Sequence, residues 1–92
     1  ICDDYKVLGR AYENDQQFET ALTNYQKAIA LNPTSAPVLN RIGIVYAKKK
    51  EYERALEYFE KAVASDPNAS DVIGNLKQTR KILAKQNTEA AN

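Results

Sequence analysis

Apolar and polar positions follow a helical period along this chain, and the same arrangement is written twice. Over residues 4–14, Tyr5, Leu8, Gly9 and Tyr12 fall at i, i+3, i+4 and i+7, while Lys6, Arg10 and Glu13 occupy another face. This predicts a helix over 4–14. Asp3 and Asp4 suit its start, one as cap and the other in the first turn, where a carboxylate meets the positive end of the helix dipole. Asn14-Asp15 supplies a break. A second stripe of Phe18, Ala21, Leu22, Tyr25, Ala28 and Ile29 predicts a helix from about 17 to 31. Asn32-Pro33 ends it, because the residue before a proline is pushed out of the α region.

The order then returns 34 positions later: Tyr5 is matched by Leu39, Leu8 by Ile42, Gly9 by Gly43, Tyr12 by Tyr46, Phe18 by Tyr52, Ala21 by Ala55, Leu22 by Leu56, Tyr25 by Phe59, Ala28 by Ala62 and Pro33 by Pro67. Ser35 can cap a third helix that carries Pro37 in its first turn, where a missing N–H costs nothing. That helix reaches about 49, and a fourth runs from 52 to 65 before Asp66-Pro67. Connections of a few residues force each pair into an antiparallel hairpin. A fixed period of this length means stacked supersecondary units rather than one closed core. So many agreements at one spacing argue against an ordinary amphipathic bundle that happens to contain these residues.

A third unit begins in register, with Asn68 or Ser70 as cap and Ile73 and Leu76 at the places of Leu39 and Ile42. It then departs, with Lys77 where the glycines stood and Arg80 where the tyrosines stood. A helix over 70–86 is apolar on one side (Val72, Ile73, Leu76, Leu83) and polar on the other (Gln78, Lys81, Lys85), which is what an end cap needs. The polar segment 87–92 is expected to be disordered. Glycine inside a helix costs about 1 kcal/mol relative to alanine, so Gly9 and Gly43 need a reason. Close approach supplies one: each is expected opposite Ala21 or Ala55 across its own hairpin, with Ala28 and Ala62 serving the same purpose toward the next unit. The six tyrosines fill the wider parts of the seam.

These positions resemble the tetratricopeptide repeat family, whose pattern is W-x2-L-G-x2-Y followed by A-x3-F, A and P. Tyr5, Leu8, Gly9, Tyr12, Ala21, Tyr25, Ala28 and Pro33 match it in the first unit, and Leu39, Ile42, Gly43, Tyr46, Ala55, Phe59, Ala62 and Pro67 in the second. The resemblance implies an all-α, right-handed superhelical solenoid of two helix-turn-helix repeats plus a C-terminal capping helix. The expected layout is a single domain over 1–92, with repeat one at 2–35, repeat two at 36–69, the capping helix at 70–86 and the tail at 87–92. Two departures stand out. Gln16 and Lys50 occupy turn positions where the family often has glycine, so the turns are expected to be less relaxed. Two full repeats are also fewer than the usual three, which predicts marginal stability unless neighbouring repeats or self-association reinforce the stack.

The resemblance further implies that the first helix of each pair lines a concave groove. Here that groove would be formed by Lys6, Arg10, Glu13, Asn14, Asn40, Arg41, Ile44, Ala47 and Lys48, with Gln78 and Lys81 closing one end. The balance is basic with polar amides and favours an acidic or carboxylate-bearing peptide. Family members that serve heat-shock chaperones grip an acidic C-terminal tail with a carboxylate clamp. Of the five clamp positions only Lys6 matches; Arg10 and Arg41 replace asparagines, Asp71 replaces a lysine and Asn75 an arginine.

Composition narrows the remaining classes. A net charge of +1 gives no general attraction to nucleic acid or acidic membranes. Residues 2–35 sum to −2, residues 36–69 to +1 and residues 70–92 to +2, and the last, basic segment has no aromatic residue to stack on bases. No apolar run approaches a membrane span and no signal-peptide pattern opens the chain. It begins at Ile1, which reads as an excised piece of a longer protein; the compartment stays open, with the cytoplasm expected. Cys2 is the only cysteine and reads as a free thiol, with an intermolecular bridge or lipid anchor as the less ordinary uses. With no histidine, one cysteine and glycines only at Gly9, Gly43 and Gly74, there is no general-base pair, zinc site or phosphate loop, and no enzyme, metal or cofactor is expected. Asp3-Asp4, Glu51/Glu53 and Lys48-Lys49-Lys50 sit where helix dipoles explain them. Two readings remain: a module that binds a partner peptide in its groove, or an architectural module that contacts copies of itself or adjacent repeats through the stack ends.

Overall fold

In the computed structural model, which describes the backbone of residues 2–91 and the side chains of residues 4–88, five helices follow one another: α1 (Cys2–Asn14), α2 (Phe18–Leu31), α3 (Ala36–Lys48), α4 (Tyr52–Ser65) and α5 (Ser70–Ala91). No strand occurs among the described residues. α1 pairs with α2 and α3 with α4; α2 packs on α3, α4 on α5, and α1, α3 and α5 meet along one face. This is an all-α helical repeat.

The element ends have local causes. Asn32 and Asp66, each before a proline, leave the helix with φ −145° and −138°, which stops α2 and α4. Ser35 caps α3, its hydroxyl accepting from the Val38 amide at 3.4 Å, and Pro37 sits in the first turn. α5 starts at Ser70, so the residue at the cap place is Ala69, not Asn68 or Ser70, and the end lacks a matching side-chain acceptor. Asp3 and Asp4 both lie inside α1, while Ile1 and the side chains of Cys2 and Asp3 fall outside the described residues, as does any account of the Cys2 thiol.

Gln16 and Lys50 carry the turns inside the hairpins with φ 61° and 65°, the left-handed region where glycine is at ease. Each turn closes with a paired motif. Gln17 N–H donates to the Tyr12 carbonyl at 2.9 Å and Gln16 N–H to Glu13 at 3.0 Å; Glu51 and Lys50 repeat this onto Tyr46 and Ala47.

Two apolar cores run through the stack. One joins Ala21, Leu22, Tyr25 and Ala28 of α2 to Val38, Ile42 and Val45 of α3. The other joins Ala36 and Leu39 to Ala55, Phe59 and Ala62 and to Val72 and Leu76 of α5. α5 thereby covers the last apolar face. The expectations need correcting at three places. The nearest neighbours of the glycines are rings and not alanines: a Cβ on Gly9 would lie 2.5 Å from the Tyr25 ring, and one on Gly43 2.6 Å from the Phe59 ring. The close approach is between helix backbone and an aromatic ring. Leu8, expected in the apolar seam, is 45% exposed, because no helix lies against the outer side of α1 among the described residues. Finally, α5 continues to Ala91 where the segment 87–92 was expected to be disordered, Asn92 falling outside the described residues. Nothing after Gly74 breaks it, and near its end the Thr88 hydroxyl donates to the Ala84 carbonyl at 2.9 Å.

Candidate functional groove

α1, α3 and α5 share one face of the stack, and the side chains expected to form a binding groove divide there among separate clefts. The first cleft, of about 270 Å³, is lined by Lys6 and Arg10 of α1, Asn40 and Arg41 of α3, Asp66 at the end of α4 and Asp71 in the first turn of α5. Helical spacing explains the grouping: Lys6 and Arg10 lie one turn apart on α1, and α3 presents Arg41 toward them. The second cleft, of about 330 Å³, lies between α3 and α5 and is lined by Ile44, Ala47, Lys48, Gln78 and also by Phe59 and Ile82. Lys81 is exposed and lines neither.

Glu13 and Asn40 do not behave as open groove residues. Glu13 is 2% exposed and sits at the centre of a polar cluster between the repeats. The Tyr25 hydroxyl donates to its Oε1 at 2.8 Å, Lys48 Nζ donates to its Oε2 at 2.8 Å, and Arg41 Nη1 lies 3.8 Å from Oε2. A carboxylate buried this deeply is tolerable because its oxygens are paired. Burial, and then the bond to Glu13, push the Tyr25 phenol above its ordinary range, so it stays protonated and keeps donating. Asn14 lies at the edge of this cluster, beside Lys48 and Phe18. Asn40 is buried and its Oδ1 accepts from Asn75 Nδ2 at 3.0 Å, which ties α3 to α5 between the two clefts.

The opposite side of the stack carries a different set of charges. Lys49 pairs with Glu19 and, at 3.0 Å, with Glu51, and its ammonium is held above its ordinary range first by Glu19 and then by Glu51. Tyr46 and Tyr58 stack with centroids 5.7 Å apart, flanked by Lys49, Arg54 and Lys61. Of these groups the Lys49–Glu19 pair joins repeat one to repeat two, and the others lie within repeat two. Among the described residues no group of three or more His, Cys, Asp or Glu side chains that could hold a metal occurs. No helix is long and apolar enough to cross a membrane.

Ile82 and Phe59 were not expected at the groove. Ile82 stands 34 positions after Lys48, and that exchange of a cation for an apolar side chain was the available signal.

Comparison with known proteins agrees with this architecture. A family model for the tetratricopeptide repeat matches residues 7–70. The Sgt2 TPR domain from Aspergillus fumigatus superposes with a TM-score of 0.87 at 25% identity, covering 91% of this chain and 56% of that one. The chain thus spans little more than half of that structure's length. The second TPR of Spaghetti (RPAP3), solved with the HSP90 peptide SRMEEVD, gives 0.86 at 23% identity, over 94% of this chain and 80% of that one. The first TPR of Spaghetti, with the same peptide, gives 0.85 at 21% identity, over 91% and 67%. No curated protein sequence matches the chain.

Proposed function

We propose, from the premise that this chain belongs to the tetratricopeptide repeat family of protein-interaction modules, that residues 1–92 act as one domain whose α1, α3 and α5 face binds an acidic peptide segment of a partner protein. The observation that carries this reading is the convergence of Lys6, Arg10 and Arg41, from two helices, on one cleft. Two guanidinium groups and an ammonium grouped this way suit a carboxylate, which Arg can hold with two parallel hydrogen bonds. Asp66 and Asp71 on the same wall push an acidic group toward the α1 and α3 side. The Spaghetti domains hold an acidic HSP90 peptide on this fold. The reading does not borrow their contacts, since Asp71 and Asn75 stand at two positions where the family's clamp is basic.

Calorimetric titration with short peptides rich in Asp and Glu, beside their Asn and Gln counterparts, tests this. Acidic peptides should bind and lose affinity as salt rises. Equal binding of the amide peptides would overturn it.

A second reading is favoured by a separate observation. Val7 and Leu8 are 63% and 45% exposed on the outer side of α1, an apolar surface through which stacks could join end to end. Sedimentation at several concentrations separates the two: self-assembly gives a concentration-dependent mass that Leu8→Lys abolishes, whereas a peptide-binding monomer gives a constant one.

A further inference from the structure

Glu13 is a carboxylate in an unfavourable place. It is deeply buried and lies in the last turn of α1, where the negative end of the helix dipole repels it. The stack does not need it there. Moved on by 34 residues, Glu13, Tyr25 and Lys48 become Ala47, Phe59 and Ile82, so the junction with α5 forms with a methyl group, a phenyl ring and an isoleucine in their stead. What Glu13 does hold is a cation of the groove face. Its Oε2 accepts from Lys48 Nζ at 2.8 Å, while its Oε1 is taken up by the Tyr25 hydroxyl. Arg41 Nη1 lies 3.8 Å from Oε2, beyond hydrogen-bond range. Lys48 is partly exposed and lines the second cleft, so without Glu13 its ammonium would face the groove.

We infer that Glu13 sets the specificity of the groove by acting through Lys48: it withholds this ammonium from the bound peptide, so that one acidic group is read, at Arg10 and Arg41, and not two. The inference rests on the groove reading above. Taking Lys48 from Glu13 leaves a buried carboxylate without its cation, which costs far more than an ion pair at the rim of a groove returns. The ammonium has further N–H groups to offer. A second carboxylate brought to them would also meet the charge of Glu13 across the same nitrogen, however, and repulsion offsets most of the attraction. Arg41 stands differently. Both Glu13 oxygens are satisfied without it, so it can turn its fork to a ligand in the first cleft and leave the buried group paired. Arg41 and Lys48 lie about two turns apart on α3, about 10 Å at 1.5 Å per residue. An extended peptide crosses that distance in about three residues, which is the separation at which a released Lys48 would read a second acid.

The test uses fluorescence anisotropy with the whole chain and labelled peptides in a Gly/Ser background. Each peptide carries two Asp-Glu pairs, placed either about three or about ten residues apart, in either chain direction. Wild type should bind the near and far placements alike. Glu13→Gln keeps the shape of the side chain and an acceptor for the Tyr25 hydroxyl, and it should favour the near placement about fivefold. Because the two peptides have equal charge, the altered net charge of the variant drops out of the comparison. A preference of equal size in wild type and variant, or none in either, overturns the inference and leaves the acidic-peptide reading standing. Side-chain NMR of wild type decides the matter if the variant does not fold. On saturation with the near-placed peptide the Arg41 guanidinium signal should shift and the Lys48 ammonium signal should stay; a shift at Lys48 overturns the inference. If no acidic peptide binds, the groove reading falls and this one with it.

Discussion

α1 and α3 occupy the same place in successive repeats and have opposite fates. Val38, Ile42 and Val45 of α3 are 1%, 0% and 0% exposed, pressed against α2. Their counterparts Asp4, Leu8 and Ala11 on α1 are exposed. The residues are not what differ most, since leucine would bury as well as isoleucine. What differs is that α3 has a helix before it and α1 has none among the described residues. Burial in a repeat stack is therefore set by the neighbour, and stability should fall toward α1.

The largest test of that contrast is a pair of truncations. Ile42→Ala should lose about 2–5 kcal/mol in urea denaturation, and Leu8→Ala about 0.5 kcal/mol or less. Similar losses would mean that α1 is covered in solution. The glycines sharpen the comparison. Gly43→Leu drives a side chain into the Phe59 ring and should cost roughly 1–3 kcal/mol or more. Gly9→Leu meets Tyr25 in the same way but should cost less, because α1 is held on one side only and can lift away; thermal melts of both variants decide it.

The buried cluster comes next. Tyr25→Phe leaves a Glu13 oxygen without its hydroxyl donor and should cost about 1–2 kcal/mol near neutral pH. Because the folded phenol titrates above its ordinary value of 10.0, its contribution is present below that pH and is lost as pH rises past it. The gap between wild type and Tyr25→Phe should accordingly hold up to about pH 10 and narrow as pH rises beyond it, measured as urea midpoints. A smaller effect of opposite sign belongs to the turns. Lys50→Gly relieves a left-handed residue and should stabilise by up to about 1 kcal/mol, with Gln16→Gly giving less because it ties down the weaker hairpin. The smallest effect on folding is expected for Lys6→Ala with Arg10→Ala, which should leave the melting temperature within about a degree or two while weakening binding of acidic peptides.

Much of this was readable from the residues. The 34-residue period gave the hairpins, Asn32-Pro33 and Asp66-Pro67 gave two helix ends, Ser35 and Pro37 a start, and the missing glycines at Gln16 and Lys50 announced the strained turns. Local chemistry decides all of these. The exposure of Leu8 was not readable, because it depends on a helix that is or is not alongside. The partner of Gly9 and Gly43 was not readable, because Ala21 and Ala55 offer the smaller side chains, whereas the ring one turn further along is what reaches the glycine. Glu13 was placed in the groove because its charge suggested water, and the hydroxyl that draws it inward is twelve residues away in sequence. A hollow such as the one at Ala47 has no residue of its own to announce it. Only the joint exchange of Glu13 for Ala47 and Tyr25 for Phe59 points there.

Lys6 and Arg10 ride on a helix that is packed against α2 and touches α3 only lightly. A chain lying across them and Arg41 would act as a clasp between α1 and α3, so occupancy should be felt as slower amide exchange in the first repeat before any change in the second. The α1 end of the stack would then be its reporter.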